Sequence, residues 1–154
     1  MAIPIRLYVP TAAVTLFSNG GNTGLNSLAS GSQAISDVLD NTTALDPLVN
    51  LELDVAYTTT APTAGQRVAD LYMVPSLDGT NYGEGSSSIR PEAKHLIGSF
   101  ESRNGSTSAV ERLMLKEITL TPGKHKFVLV NQSGKTYHAT LCVLKAYPYQ
   151  YQGS

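Results

Sequence analysis

The clearest pattern along the chain is strict alternation in "LVNLELDVAYTTT". Val49, Leu51, Leu53, Val55 and Tyr57 are separated by Asn50, Glu52, Asp54 and Ala56, so a strand here has one apolar and one wet face. "RVADLYMVP" is apolar almost throughout and predicts a strand buried on much of both faces. Shorter β-rich runs flank these two, including "AAVTLF" and "HLIGSFE", with weak strand character at Leu25–Leu28 and Ala34–Val38. Turn clusters such as "SNGGNTG" and "TTAPTAGQ" separate them. "AVERLMLKEITL" is ambiguous, because Val110, Leu113, Met114 and Lys116-Glu117 suit a short helix. "TPGKHKFVLVNQSGKTYHATLCVLKAY" predicts a hairpin with arms Lys124–Val130 and Thr136–Tyr147 and the tip Asn131-Gln132-Ser133-Gly134.

About eight short strands without a long helix predict an all-β chain, an antiparallel β-sandwich of jelly-roll type. An immunoglobulin-like sandwich is the alternative, although its Cys–Trp–Cys signature is absent, with Trp 0 and Cys 1. Residues 1–154 carry no repeat or composition shift and are expected to form a single domain. Extended arms are expected at 1–11, bracketed by Pro4 and Pro10, and at 147–154, where Pro148 should stop the last strand.

Composition narrows the function. Charged residues make up 15% of the chain, with Ser, Thr, Asn and Gly in their place, as suits the faces of a sheet protein. The net charge is −1 and the 11 Lys and Arg are dispersed, which argues against nucleic-acid binding. No apolar run reaches the length of a membrane span and Met1–Arg6 is not a secretory signal, so neither membrane nor export is expected. The lone Cys142, in an apolar run, is expected to be a buried strand residue in a protein made in a reducing cytoplasm.

Candidate chemistry is thin. Glu52 and Asp54 share a strand face, and with Asp70 they are the carboxylates to weigh for glycoside hydrolysis; the wet side of a strand explains the pair as well. His95, His125 and His138 fall in separate runs; the last two occupy opposite arms of the expected hairpin, where they could be cross-strand neighbours. Two imidazoles are too few for a closed zinc site. In "LYMVPSLDGTNYGEG", Asp78-Gly79-Thr80-Asn81 places glycine too early for a calcium loop, whereas Asp-Gly and Asn make turns on their own account. No catalytic residue, cofactor or metal is expected, nor enzyme activity. "GEGSSSIRPEAK" beyond the turn is expected to be a surface loop.

Three landmarks recur in order: the turn Val74–Tyr82, then Gly98-Ser99-Phe100, then Pro122–Phe127 running into Asn131–Gly134. With "SLASGSQAISDVLDNTT" upstream, this succession resembles a family of small virion proteins of tailed bacteriophages, over roughly Leu25 to Tyr147. The resemblance implies a non-enzymatic β-sandwich of the virion, a capsid decoration (cement) protein bound to the major capsid protein on the outer shell. It implies self-association as a homodimer or homotrimer. Tyrosines outnumber phenylalanines 8 to 3, and Tyr8, Tyr147, Tyr149 and Tyr151 near the two ends are the candidate interface residues. The alternative is a carbohydrate- or receptor-binding β-sandwich of a tail or head fibre, motivated by the Tyr-, Asn- and Asp-bearing loops and weakened by the lack of Trp.

Overall fold

The structure, a computed structural model, describes residues 7–10, 12–17, 24–76, 78–83, 89–103 and 109–152, with the backbone alone for 7–10 and 151–152. Among these residues ten strands carry the fold: β1 Leu7–Pro10, β2 Val14–Phe17, β3 Gln33–Ile35, β4 Leu39–Asn41, β5 Leu48–Val55, β6 Arg67–Ser76, β7 Leu96–Glu101, β8 Glu111–Thr119, β9 Gly123–Asn131 and β10 Val143–Gln152. The only helix among the described residues is a 3-10 turn, Ala93–His95.

All strand pairs are antiparallel. One sheet runs β1–β10–β5–β8 with β2 also on β10; the other runs β3–β9–β6–β7 with β4 also on β9. β1 and β2 are two pieces of one edge position, and β3 and β4 are two pieces of another. Counted so, the first strand pairs with the last, the second with the seventh, the third with the sixth and the fourth with the fifth. That wrapping is the jelly roll, with the chain changing sheets at nearly every connection.

The alternation in β5 works as its sequence dictates. Val49, Leu51, Leu53 and Val55 are fully buried between the sheets. They meet Leu71, Phe127 and Leu129 of the opposite sheet in one core. β6 is buried on both faces, because Tyr72 and Val74 form a second apolar cluster with Val128 and Val130 on the side away from the core.

Several expectations are corrected. The ambiguous run around Leu113 is strand β8, not a helix. Its register against β5 slips between Val49 and Leu51, where a bulge at Lys116-Glu117 puts Glu117 at φ +57°. The extra residue breaks the two-residue period and leaves apolar residues at helix-like spacing.

The expected hairpin is not one: β9 lies in one sheet and β10 in the other. Residues 132–142 cross between them, touching β5's continuation at the bridge Tyr57–Tyr137. Asn131 does build the expected turn: its Oδ1 accepts from Ser133 N (2.9 Å) and its Nδ2 donates to the Lys135 carbonyl (2.8 Å). Such a turn looks the same whether the chain returns to its own sheet or leaves it.

Pro148 does not stop the last strand. It falls where the neighbour of β10 changes from β2, at Ala146–Val14, to β1, at Tyr149–Pro10. A residue without an N–H is tolerated at that break. The expected arm at 147–154 is therefore strand as far as Gln152, and Leu7–Pro10 of the other arm is strand β1; 1–6 and 153–154 lie outside the described residues. Finally, Leu25–Leu28 is a turn, and Ala34–Val38 is divided, its strand part ending at Ile35.

Candidate functional site

The Asp78 turn is the densest local polar structure. Asp78 Oδ1 accepts from Thr80 N (2.8 Å), Asn81 N (2.6 Å) and Ser76 Oγ (3.2 Å), while Oδ2 accepts from Asn81 Nδ2 (2.6 Å). Gly79 supplies the positive φ of +76° that the turn requires. The backbone N–H groups of Asn81 and Thr80 hold the carboxyl well below the usual carboxylate range. The turn folds Tyr82 back onto the outer cluster of Tyr72, Val74, Val128 and Val130, with Lys126 Nζ 4.8 Å from its ring centroid. Asp78 thus caps a turn whose product is a tyrosine laid on the sheet.

Beside the turn is an open cavity of about 440 Å³ with Val74 and Pro75 as its apolar wall and Asn81, Lys94 and His95 on its polar side. Lys94 pairs with Glu92 at 3.0 Å. The adjoining stretch 84–88 of the expected surface loop lies outside the described residues.

The candidate carboxylates are not gathered. Glu52 and Asp54 do share the outer face of β5, but Arg112 lies over both, 2.8 Å from Asp54 Oδ1 and 3.6 Å from Glu52 Oε1. Tyr147 Oη donates to Glu52 Oε1 at 3.2 Å. Asp70 belongs to the other sheet and accepts from Ser99 Oγ (2.6 Å) and Gln132 Nε2 (2.9 Å). The pair is bridged by one guanidinium and its side chains are only 13% and 11% exposed, so this face of β5 is covered by Arg112 and Tyr147 rather than wet as expected.

The histidines are dispersed too. His125, in β9, is buried with Nε2 2.9 Å from the Thr121 carbonyl; His138, in the crossing segment, accepts from Thr140 N through Nδ1; His95 ends the 3-10 turn. His125 and His138 are not cross-strand neighbours, since the hairpin that would pair them does not form. Among the described residues no group of three or more His, Cys, Asp or Glu is placed to hold a metal ion. None of their helices is long and apolar enough to cross a membrane. Cys142 is fully buried, and that burial pushes its thiol pKa up, away from nucleophilic use.

Of the interface tyrosines, Tyr149 is 2% exposed, closed off within its own chain. Tyr147 is half-buried on the outer face beside Glu52. Tyr8 and Tyr151 are register partners across β1 and β10, and their side chains lie outside the described residues.

Residues the sequence did not single out do more. Glu111 is buried and accepts from Ser102 Oγ (3.1 Å) and from the Arg103 N–H, tying the start of β8 to the end of β7. Asn41 and Asp46 are also buried: Asn41 Oδ1 accepts from Asp46 N and its Nδ2 donates to the Asp46 carbonyl, both at 2.8 Å. Neither has a signature in sequence, because each depends on which loop the fold brings alongside.

No protein-family model matches the chain. No curated protein matches it either. Two solved structures are similar in outline. A carbohydrate-binding module, CBM36, in complex with calcium and xylotriose aligns over 96% of this chain and 98% of its own at 12% identity and a TM-score of 0.45. The capsid of Ralstonia phage GP4 aligns over 97% of this chain and 85% of its own at 16% identity and a TM-score of 0.46. At these scores neither bears on what the chain does, and the jelly roll rests on its own strand order.

Proposed function

We propose that this protein is a non-enzymatic structural component of a tailed-phage virion, a decoration protein that self-associates and braces the major capsid protein from outside the shell. The observation that carries the reading is the succession of landmarks at Val74–Tyr82, Gly98–Phe100 and Pro122–Phe127. Their strand portions, Val74–Ser76, Gly98–Phe100 and Gly123–Phe127, lie on β6, β7 and β9, which are neighbours in one sheet. Val74 and Pro75 pair directly with Lys126 and His125, and Gly98–Phe100 borders the same strand one step along, opposite Leu71, Asp70 and Ala69. The polar groups weighed for chemistry support the same reading, since Asp78, Asp70, Glu52, Asp54 and Cys142 all serve the fold.

A cryo-EM map of the particle that encodes this chain tests it. Density matching the two-sheet sandwich is expected outside the shell, in contact with the major capsid protein. Density confined to the tail, or a glycan array on which the purified protein binds strongly while heads fail to retain it, would overturn the reading.

A further inference from the structure

We propose that strand β8 is a self-association edge, pairing antiparallel with β8 of a second copy about a twofold axis at Leu113.

A sheet edge presents unpaired backbone donors and acceptors, and folded proteins blunt such edges with short strands, bulges or projecting charges. Most edges here are blunted. β1 and β2 have four residues each, β3 and β4 have three each, and β7 has two irregularities against β6. β8 has nine residues and, among the described ones, pairs with β5 on one side and with no strand on the other. Its guards, Lys116 and the bulged Glu117, are confined to one end. The stretch Glu111–Leu115 is regular.

Both charges in that stretch already have partners within the chain. Arg112 is held over β5 by Asp54 and Glu52. Glu111 is turned inward to Ser102 and Arg103. Arg112, ion-paired but with its side chain 62% exposed, and Met114, 36% exposed, are what stays outward. Alongside runs a cleft of about 250 Å³ between β7 and β8, with Glu101 and Ser102 on one bank and Leu113 and Met114 on the other. A strand added to β8 would cover it.

The occupant follows from the register. Opposed residues of an antiparallel pair share a face, so each possible twofold sets a definite list of contacts. An axis at Arg112 opposes the two arginines. An axis at Met114 opposes Arg112 to Lys116 and Glu111 to Glu117, like against like both times. An axis at Leu115 carries the pairing through the bulge. The axis at Leu113 alone avoids these faults: it sets Leu113 against itself, Arg112 against Met114, and Glu111 against Leu115. Arg112 meets a thioether there with its charge already answered by Asp54 and Glu52. β8 is thus self-complementary, as a twofold interface must be.

The inference concerns self-association alone and does not depend on capsid binding. Its test is sedimentation velocity of the full chain, with hydrogen exchange on the same samples. A dimer is expected at about 0.1 mM, a concentration that populates even weak association. Exchange of alternate amides in Glu111–Leu115 should slow as dimer forms. Met114→Lys places a lysine opposite Arg112 twice per dimer and should weaken association about tenfold or more. Met114→Leu should leave it within about twofold. A monomer throughout, a trimer, or a dimer unaffected by Met114→Lys and unprotected at Glu111–Leu115 would overturn the proposal. A monomeric Met114→Lys protein that still decorates heads would uphold the β8 interface and leave the capsid reading standing independently.

Discussion

Asp78 shows what a conspicuous polar residue can be for. Its carboxylate takes up two backbone N–H groups, an amide and a hydroxyl of its own turn, and so sets Tyr82 on the sheet. Because the carboxyl's pKa is lowered in the folded state, its contribution is present above the unfolded value of about 4 and is lost as pH falls through the folded value. Asp78→Asn should therefore lower Tm at neutral pH, and the gap from the parent should close on acidification below about pH 4. A pH series of thermal melts checks this; a constant gap would mean that the charge is immaterial. The Asp-Gly-Thr-Asn run made this turn legible without a structure. His125 illustrates the limit: its Thr121 partner is four residues away, but its burial comes from β4 and β6 laid on either side of β9, which no local pattern marks.

At the scale of elements, β5 and β6 were readable and β8 was not. β5 keeps an unbroken period of two in sequence, and the burial of Val49, Leu51, Leu53 and Val55 follows from it, whereas Asp54 on the polar face is buried under Arg112. β8 contains a residue that opposes nothing, and the bulge converts a strand's period into something helix-like. The bulge is held by Asn50 Oδ1, which accepts from Glu117 N at 2.9 Å. Glutamate at φ +57° is strained, and its side chain is exposed. Glu117→Gly should consequently stabilise the protein by about 0.5–1 kcal/mol, the relief of the left-handed conformation exceeding the extra chain entropy that glycine loses. Urea denaturation reads the difference, and a loss of stability would mean that the Glu117 side chain makes contacts worth more than the strain. β9 and β10 are the complementary case: the expected arm Lys124–Val130 lies within β9, but of the expected arm Thr136–Tyr147 only Val143–Tyr147 belongs to β10, and their pairing was not visible.

For the molecule as a whole, the junction of the two sheets is closed by Tyr57 and Tyr137. They bridge backbone to backbone and meet edge to face at 5.9 Å between ring centroids. Tyr137 Oη donates to the Val68 carbonyl at 3.1 Å, whereas Tyr57 Oη has no hydrogen-bond partner among the described residues. Burial, before any neighbouring charge, pushes both phenols above their ordinary value. A raised folded-state pKa gives stability that is fully present below about pH 10 and is lost as pH climbs toward the folded value. Alkaline unfolding should thus be cooperative, with these tyrosinates absorbing only as the sandwich opens. Tyr57→Phe should move that transition to higher pH and change stability at pH 7 by less than about 1 kcal/mol, since no hydrogen bond is lost. Difference absorbance at rising pH, followed with circular dichroism, separates this from titration within an intact fold.

The sequence by itself determined a two-faced set of short strands, the Asp78 and Asn131 turns and the buried thiol. Each is decided by side chains within a few positions of one another, through the two-residue period or through hydrogen bonds a residue makes to its own neighbours. The tertiary structure decided where strands go after their turns, that β10 runs on past Pro148, that Tyr149 is enclosed, and that β8 pairs on one side alone among the described residues. Those outcomes depend on contacts between residues tens of positions apart, such as Arg112 with Asp54 and Tyr57 with Tyr137. No local pattern encodes them, because the closing partner lies on a strand or bridge remote in sequence.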